Sequence, residues 1–114
     1  MSQILAVGLG GFLGSILRFG LIGVFKGAPL GTLLVNLLGA FLIGTVVGIV
    51  SKENVTAYSF LTIGILGGFT TFSAVSLESI KLYSEGNYLF LSIYLLITVV
   101  GGIALCGIGL RITS

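Results

Sequence analysis

Four long apolar runs, separated by short polar punctuation, leave this chain few ways to fold. The runs cover about Ile4–Phe25, Leu30–Val50, Ala57–Leu82 and Tyr88–Leu110. Each is close to the roughly 20 residues that a helix needs to cross a bilayer core about 30 Å thick. Between them stand Lys26-Gly27-Ala28-Pro29, Ser51-Lys52-Glu53-Asn54 and Tyr83-Ser84-Glu85-Gly86-Asn87, and Arg111-Ile112-Thr113-Ser114 follows the last. None of the runs alternates apolar and polar residues as the strands of an outer-membrane barrel do. Charged residues make up 7% of the 114-residue chain, against about 25% in a typical soluble domain. Too few charges remain to cover a water-soluble surface. The reading is an all-α membrane protein, one domain over residues 1–114, built from four transmembrane helices.

The same composition removes several function classes. Five basic and three acidic side chains are scattered singly, whereas a nucleic-acid surface needs a basic stripe. Cys106 is the one cysteine, so neither an internal disulfide nor a cysteine metal cluster can form; it is expected to pack as a small apolar residue in the last span. The chain has no histidine, which excludes imidazole catalysis and histidine-ligated zinc. No nucleophile stands paired with a base, and no carboxylate pair or phosphate-cradling loop is evident; an enzyme is not expected. The start of the chain lacks the basic region and small-residue cleavage site of a secretory signal, so the first run is expected to stay in the mature protein.

Glycine is frequent, with 19 in the chain. The pairs Gly10 and Gly14, Gly44 and Gly48, and Gly64 and Gly68 stand at the four-residue spacing that lets helix backbones approach closely in lipid. They read as packing devices. Orientation is nearly undecided. With four spans, Lys52 and Arg111 fall on one side of the membrane and Lys26 and Lys81 on the other, joined there by Arg18 if it reaches that interface. Basic residues in short loops set topology, and a near tie is expected of a subunit that inserts in both directions. An antiparallel dimer of dual topology follows, unless the tie is a coincidence among few charges.

Polar residues inside the spans carry what chemistry there is. Arg18 lies within the first span, where a charge costs at least about 2.5 kcal/mol. It either snorkels to the interface or supplies a fixed positive charge that draws anions to a vestibule. Thr32 and Asn36, four residues apart on span two, share a helical face, and Tyr94 and Thr98 repeat the arrangement on span four. These donors are either interhelical glue or a polar track; a track free of acidic side chains suits an anion. In span three, Gly67-Gly68-Phe69-Thr70-Thr71-Phe72-Ser73 is a poor helix centre. A break there at mid-membrane frees backbone carbonyls, and such broken helices commonly hold ions; a simple glycine kink is the alternative.

The runs Gly10-Gly11-Phe12-Leu13-Gly14-Ser15-Ile16-Leu17-Arg18-Phe19, Gly31-Thr32-Leu33-Leu34-Val35-Asn36-Leu37-Leu38-Gly39 and Gly67-Gly68-Phe69-Thr70-Thr71-Phe72-Ser73 resemble the three signatures of the CrcB/Fluc fluoride-channel family. With the four-span layout, the resemblance covers essentially the whole chain. It implies an antiparallel dimer in a prokaryotic cell membrane, with two fluoride pores flanking a central structural sodium ion and letting cytoplasmic fluoride out passively. By the same resemblance, backbone carbonyls of Gly67 and Thr70 hold the sodium, two from each subunit. Asn36 and Thr32 line the pore, Phe72 contacts fluoride with Ser73 beside it, and Tyr94 and Thr98 match the track on span four. Arg18 and Glu78 match charged residues near the pore entrances. One departure stands out: Val75 occupies the position of the family's second pore phenylalanine. A homodimer would then lack one ring in each pore, and the chain reads alternatively as half of a heterodimer of paralogous subunits. Two other classes remain: an accessory subunit without transport activity, and a small proton-coupled multidrug exporter, for which Glu78 is the one candidate membrane acid.

Overall fold

A computed structural model describes residues 2–114. Among the described residues it contains helices and no strands. The first span is α1, Ser2–Val24, and the second is α2, Leu30–Ile49. The third, Val55–Ser84, consists of α3, Val55–Ser59, a π-helical segment, Phe60–Leu66, then α4, Gly67–Phe69, and α5, Phe72–Ser84. The fourth, Tyr88–Thr113, is α6, Tyr88–Leu96, a second π-helical segment, Ile97–Gly101, and α7, Gly102–Thr113. All four spans are long and apolar enough to cross a membrane. Their ends differ from the sequence-based ones by at most three residues, Leu110 against Thr113.

Local chemistry sets the ends. Lys26 and Gly27 take left-handed φ values of 68° and 78°, and Gly27 N–H reaches back to the Ile22 carbonyl at 2.7 Å, closing α1 with the carbonyl capping that glycine favours. Gly86, at φ 74°, ends α5 in the same way, with Asn87 N–H on the Leu82 carbonyl at 3.0 Å. Asn54 opens α3 by accepting from Ala57 N–H at 3.1 Å, the usual service of an N-cap side chain. The two π-helical segments carry no signature in hydrophobic spacing and were not expected.

The helices meet in two tight pairs, and glycine makes both. On one side α1 lies along the first π-helical segment and α4. A β-carbon on Gly10 would stand 2.6 Å from the Phe60 carbonyl oxygen, and one on Gly68 would stand 2.7 Å from that of Gly11. On the other side α2 runs along α7, with Gly44 against the Cys106 carbonyl, Gly48 against Thr113 and Gly109 against Phe41. All three glycine pairs named from the sequence therefore sit at close backbone contacts. Cys106 is half-buried and unpaired.

The interior is small and partly polar. Val35, Leu66, Phe69, Val75, Leu82 and Tyr94 are buried together with Thr32, Ser59, Thr62 and Glu78, while most large apolar side chains face outwards. This inverts the arrangement of a soluble domain, as expected where the solvent is lipid. The close contacts predict an asymmetry. Gly44→Ala should overpack the α2–α7 seam and cost about 1–3 kcal/mol, whereas Gly107→Ala, with nothing within 4 Å of the new methyl, should leave stability nearly unchanged. Thermal unfolding of the purified protein in detergent measures both.

Candidate functional site

The chemistry gathers where span three leaves its helix. Thr70 (φ −87°, ψ 157°) and Thr71 (φ −149°, ψ 117°) are extended, between the end of α4 and the start of α5. Inside an apolar bundle, each backbone group released by this stretch needs a partner, and side chains supply several. Asn36 on α2 clamps Thr71 at two points: Thr71 N–H donates to Asn36 Oδ1 at 2.8 Å, and Asn36 Nδ2 donates to the Thr71 carbonyl at 3.0 Å. Arg18 on α1 donates from Nε to the Gly68 carbonyl at 3.1 Å. Thr71 Oγ1 caps α5 by accepting from Ala74 N–H at 3.1 Å. With the N–H groups of Thr71 and Ala74 turned to side chains, the carbonyls of Gly67 and Thr70 lose the donors that an unbroken helix would give them.

Beside this stretch lies an open recess of about 230 Å³, lined by Asn36, Thr70, Thr71, Phe72, Val75 and Thr98. The Asn36 amide has spent one of its two hydrogens on Thr71, leaving the other for the recess. The N-terminus of the 13-residue α5 starts at Phe72, and the partial positive charge of its unpaired N–H groups favours a negative occupant. Thr98 belongs to the second π-helical segment, where its hydroxyl donates to the Tyr94 carbonyl at 2.7 Å. No acidic side chain lines this recess. Its chemistry is that of neutral donors and one aromatic ring.

One turn further along α5 stands a buried carboxylate. Glu78 is 7% exposed. It accepts from Thr32 Oγ1 at 2.6 Å on one oxygen and from the Tyr94 hydroxyl at 2.8 Å on the other. Spans two, three and four are thus tied through a single acidic side chain. Val75, Glu78 and Leu82 form the buried face of α5, and Val75 and Leu82 pack with Tyr94, Leu33 and Leu91.

The structure brings Thr32, Asn36, Tyr94 and Thr98 together against span three, as their spacing suggests. It corrects one expectation. The polar track is not free of acid: Glu78 sits between Thr32 and Tyr94, because the three- and four-residue steps from Val75 to Leu82 turn it inwards with the apolar face. Glu78 also lines a second recess, with Ala28, Pro29, Lys81, Leu82 and Glu85. Arg18 spends its Nε on the Gly68 carbonyl and is half-buried. Phe72 is 82% exposed in the single chain, and Ser73 is exposed as well, 3.1 Å from Thr71 Oγ1. Thr71 was not singled out from the sequence, although a threonine three residues before Ala74 at a helix start carries the signal of an N-cap.

The Glu78 cluster predicts strong coupling. Thr32→Val or Tyr94→Phe alone leaves one buried carboxylate oxygen without its donor, at a cost of about 1–3 kcal/mol. Thr32→Val, Tyr94→Phe and Glu78→Met combined should be less destabilising than the first two together, because no unpaired acid remains. Denaturant or thermal unfolding in detergent separates the two outcomes.

A family model for CrcB-like protein, Camphor Resistance (CrcB), matches residues 5–110. Among curated proteins, the chain is 44% identical to the fluoride-specific ion channel FluC of Azobacteroides pseudotrichonymphae, over 100% of this chain and 98% of the relative. It is 40% identical to that of Nautilia profundicola, over 94% and 90%, and 38% identical to that of Agrobacterium fabrum, over 98% and 96%. The match runs through all four spans and both halves of the site, and it places a multi-pass membrane protein among ion channels rather than enzymes: the chain belongs to the CrcB family.

Proposed function

We propose that this chain is a subunit of a fluoride-selective channel that lets accumulated cytoplasmic fluoride leave a prokaryotic cell passively through the cell membrane. The observation that carries the reading is the recess beside Thr70 and Thr71, where Asn36, the start of α5 and Phe72 meet without an acidic wall. Fluoride is small and tightly hydrated, so a path across lipid must replace its water with donors. The free Asn36 hydrogen and the α5 N-terminus can do so, and the positive edge of the Phe72 ring offers a weak contact that an ion can leave. Conduction needs both properties. The hydroxyls of Thr32 and Tyr94 already donate to Glu78. An anion at that level would exchange with the carboxylate for the same hydrogens, not find idle ones.

Phe72 and Ser73, exposed in the single chain, support assembly with a second copy, in our reading an antiparallel dual-topology dimer whose partner covers this face. The interruption at Thr70 and Thr71 falls near the midpoint of span three, and we read it as lying at mid-membrane. The carbonyls of Gly67 and Thr70 are hard oxygen donors without helix partners, which fits a sodium ion. One chain offers two such oxygens, so the shell would be completed by the other subunit. A bound sodium would act as a structural cation at the dimer centre.

Val75 favours one variant of this reading. It lines the recess and is 4% exposed, so a homodimer would carry a valine where the family resemblance expects a second ring, and pairing with a paralogous subunit would restore it. The exporter reading needs a carboxylate open to a cationic substrate, whereas both oxygens of Glu78 are occupied by hydroxyl donors.

Purified protein reconstituted alone into liposomes should release fluoride and retain chloride. Asn36→Asp, which keeps the acceptor for Thr71 N–H but puts a negative charge at the recess, should cut fluoride release by tenfold or more, about 1.4 kcal/mol in the barrier, while eluting as wild type from size exclusion. Flux that is unselective, or unchanged in this variant, would end the channel reading; no flux without a paralogue would point to the heterodimer. Sodium should raise the thermal stability of the assembled protein in a concentration-dependent way, and an equal concentration of a bulky organic cation should not.

A further inference from the structure

A third recess, of about 260 Å³, opens between spans one and three and is lined by Gln3, Ile4, Val7, Ser59 and Ile63. Gln3 and Ile4 stand in the first turn of α1. Ser59 is the last residue of α3, which opens span three at Val55. The two spans run in the same direction here, since a β-carbon on Gly10 would meet Phe60 and one on Gly14 would meet Ile65 and Phe69. The recess therefore lies on the side of the membrane where both spans begin. At a rise of 1.5 Å per residue, Ser59 is about 6 Å inside the start of span three.

The Ser59 hydroxyl breaks a pattern. Ser76, Ser79, Ser84 and Ser92 each donate to the carbonyl four residues earlier. Ser59 is only 7% exposed, yet its hydroxyl makes no hydrogen bond among the described residues. No side-chain oxygen sealed inside the described bundle lacks a partner, so this hydroxyl is open, and it opens to the recess that Ser59 lines. A hydroxyl left unpaired in apolar surroundings is costly, and here an acceptor must come from outside the chain.

We propose that the recess binds the glycerol-ester portion of a membrane phospholipid, with the Ser59 hydroxyl donating to an acyl ester carbonyl. Three features select this ligand. The recess is open and smaller than the roughly 300 Å³ at which small-molecule pockets begin, so it takes part of a longer molecule. Polar Gln3 stands at the shallow end and apolar Ile63 one turn deeper than Ser59, the order of polarity along a lipid entering the bilayer. No charged side chain lines the recess, so the uncharged ester, and not the headgroup charge, is what it recognises. The proposal does not depend on which ion the protein conducts.

The test compares two lipids that differ only at the acceptor. Purified protein stripped of lipid in detergent is titrated with dipalmitoyl phosphatidylglycerol or with its di-O-hexadecyl ether analogue, and bound lipid is read by native mass spectrometry. Wild type should hold the ester lipid about three- to tenfold more tightly, the worth of one neutral hydrogen bond. Ser59→Ala, which breaks no bond within the chain, should bind the ester lipid only as well as the ether and leave the ether affinity unchanged. Ile4→Trp, at an exposed position on the rim, should weaken both lipids and leave the assembled mass as in wild type. Equal affinity for the two lipids in wild type, or an ester preference that survives Ser59→Ala, overturns the proposal. A lower assembled mass for Ile4→Trp would make the recess a contact between copies of the chain and overturn it as well.

Discussion

A chain that leaves its helix inside an apolar bundle must still satisfy its backbone, and much of this structure follows from that requirement. Two extended residues in span three release N–H and carbonyl groups where no water is at hand. Asn36 answers with a two-point clamp on Thr71, Arg18 with a bond to the Gly68 carbonyl, and Thr71 with its own hydroxyl. These contacts draw spans one and two to the same stretch of span three. The place where regular structure ends is therefore also where polar side chains collect.

Close backbone packing makes the arrangement possible. Gly10, Gly14 and Gly68 bring α1 near enough to span three for Arg18 to reach a main-chain carbonyl, and the glycines of the α2–α7 seam fix the frame that carries Asn36 and Thr32. In lipid there is no strong apolar driving force between helices, so contact depends on how closely the surfaces fit. The glycines shape the site without lining it, apart from the carbonyls that Gly67 and its neighbours expose.

The parts legible in the sequence were those governed by simple periodicity and cost. Apolar run length located four spans, since a polar break within a lipid-facing helix is expensive. Four-residue spacing put Thr32 with Asn36 and Tyr94 with Thr98; Thr32, Asn36 and Tyr94 bond to span three, and Thr98 lines the recess beside it. The stretch from Gly67 to Ser73 is a poor helix former, and Thr70 and Thr71 within it are extended. What was not legible depended on rotation and on partners in other helices. Glu78 was not counted with the polar track, yet the twist of α5 carries it inwards beside Val75 and Leu82, between Thr32 and Tyr94. Arg18 reads as an isolated charge until the Gly68 carbonyl is brought opposite it by packing. Thr71 acts through its backbone as much as its side chain, and backbone roles leave little trace in residue identity.

The π-helical stretch in the fourth span has a consequence of its own. A π-type turn holds more residues than an ordinary one, so Ile97–Gly101 shifts the angular phase of everything after it relative to α6. Tyr94 lies before this offset and Gly109 after it; the first faces span three and the second faces α2. Loss of one residue from the stretch would tighten the coil and swing α7 by about 100°, turning its glycine edge away from the second span. The length of this short segment is therefore as constrained as its composition is free, and insertions or deletions there should be tolerated far less than exchanges among its apolar side chains.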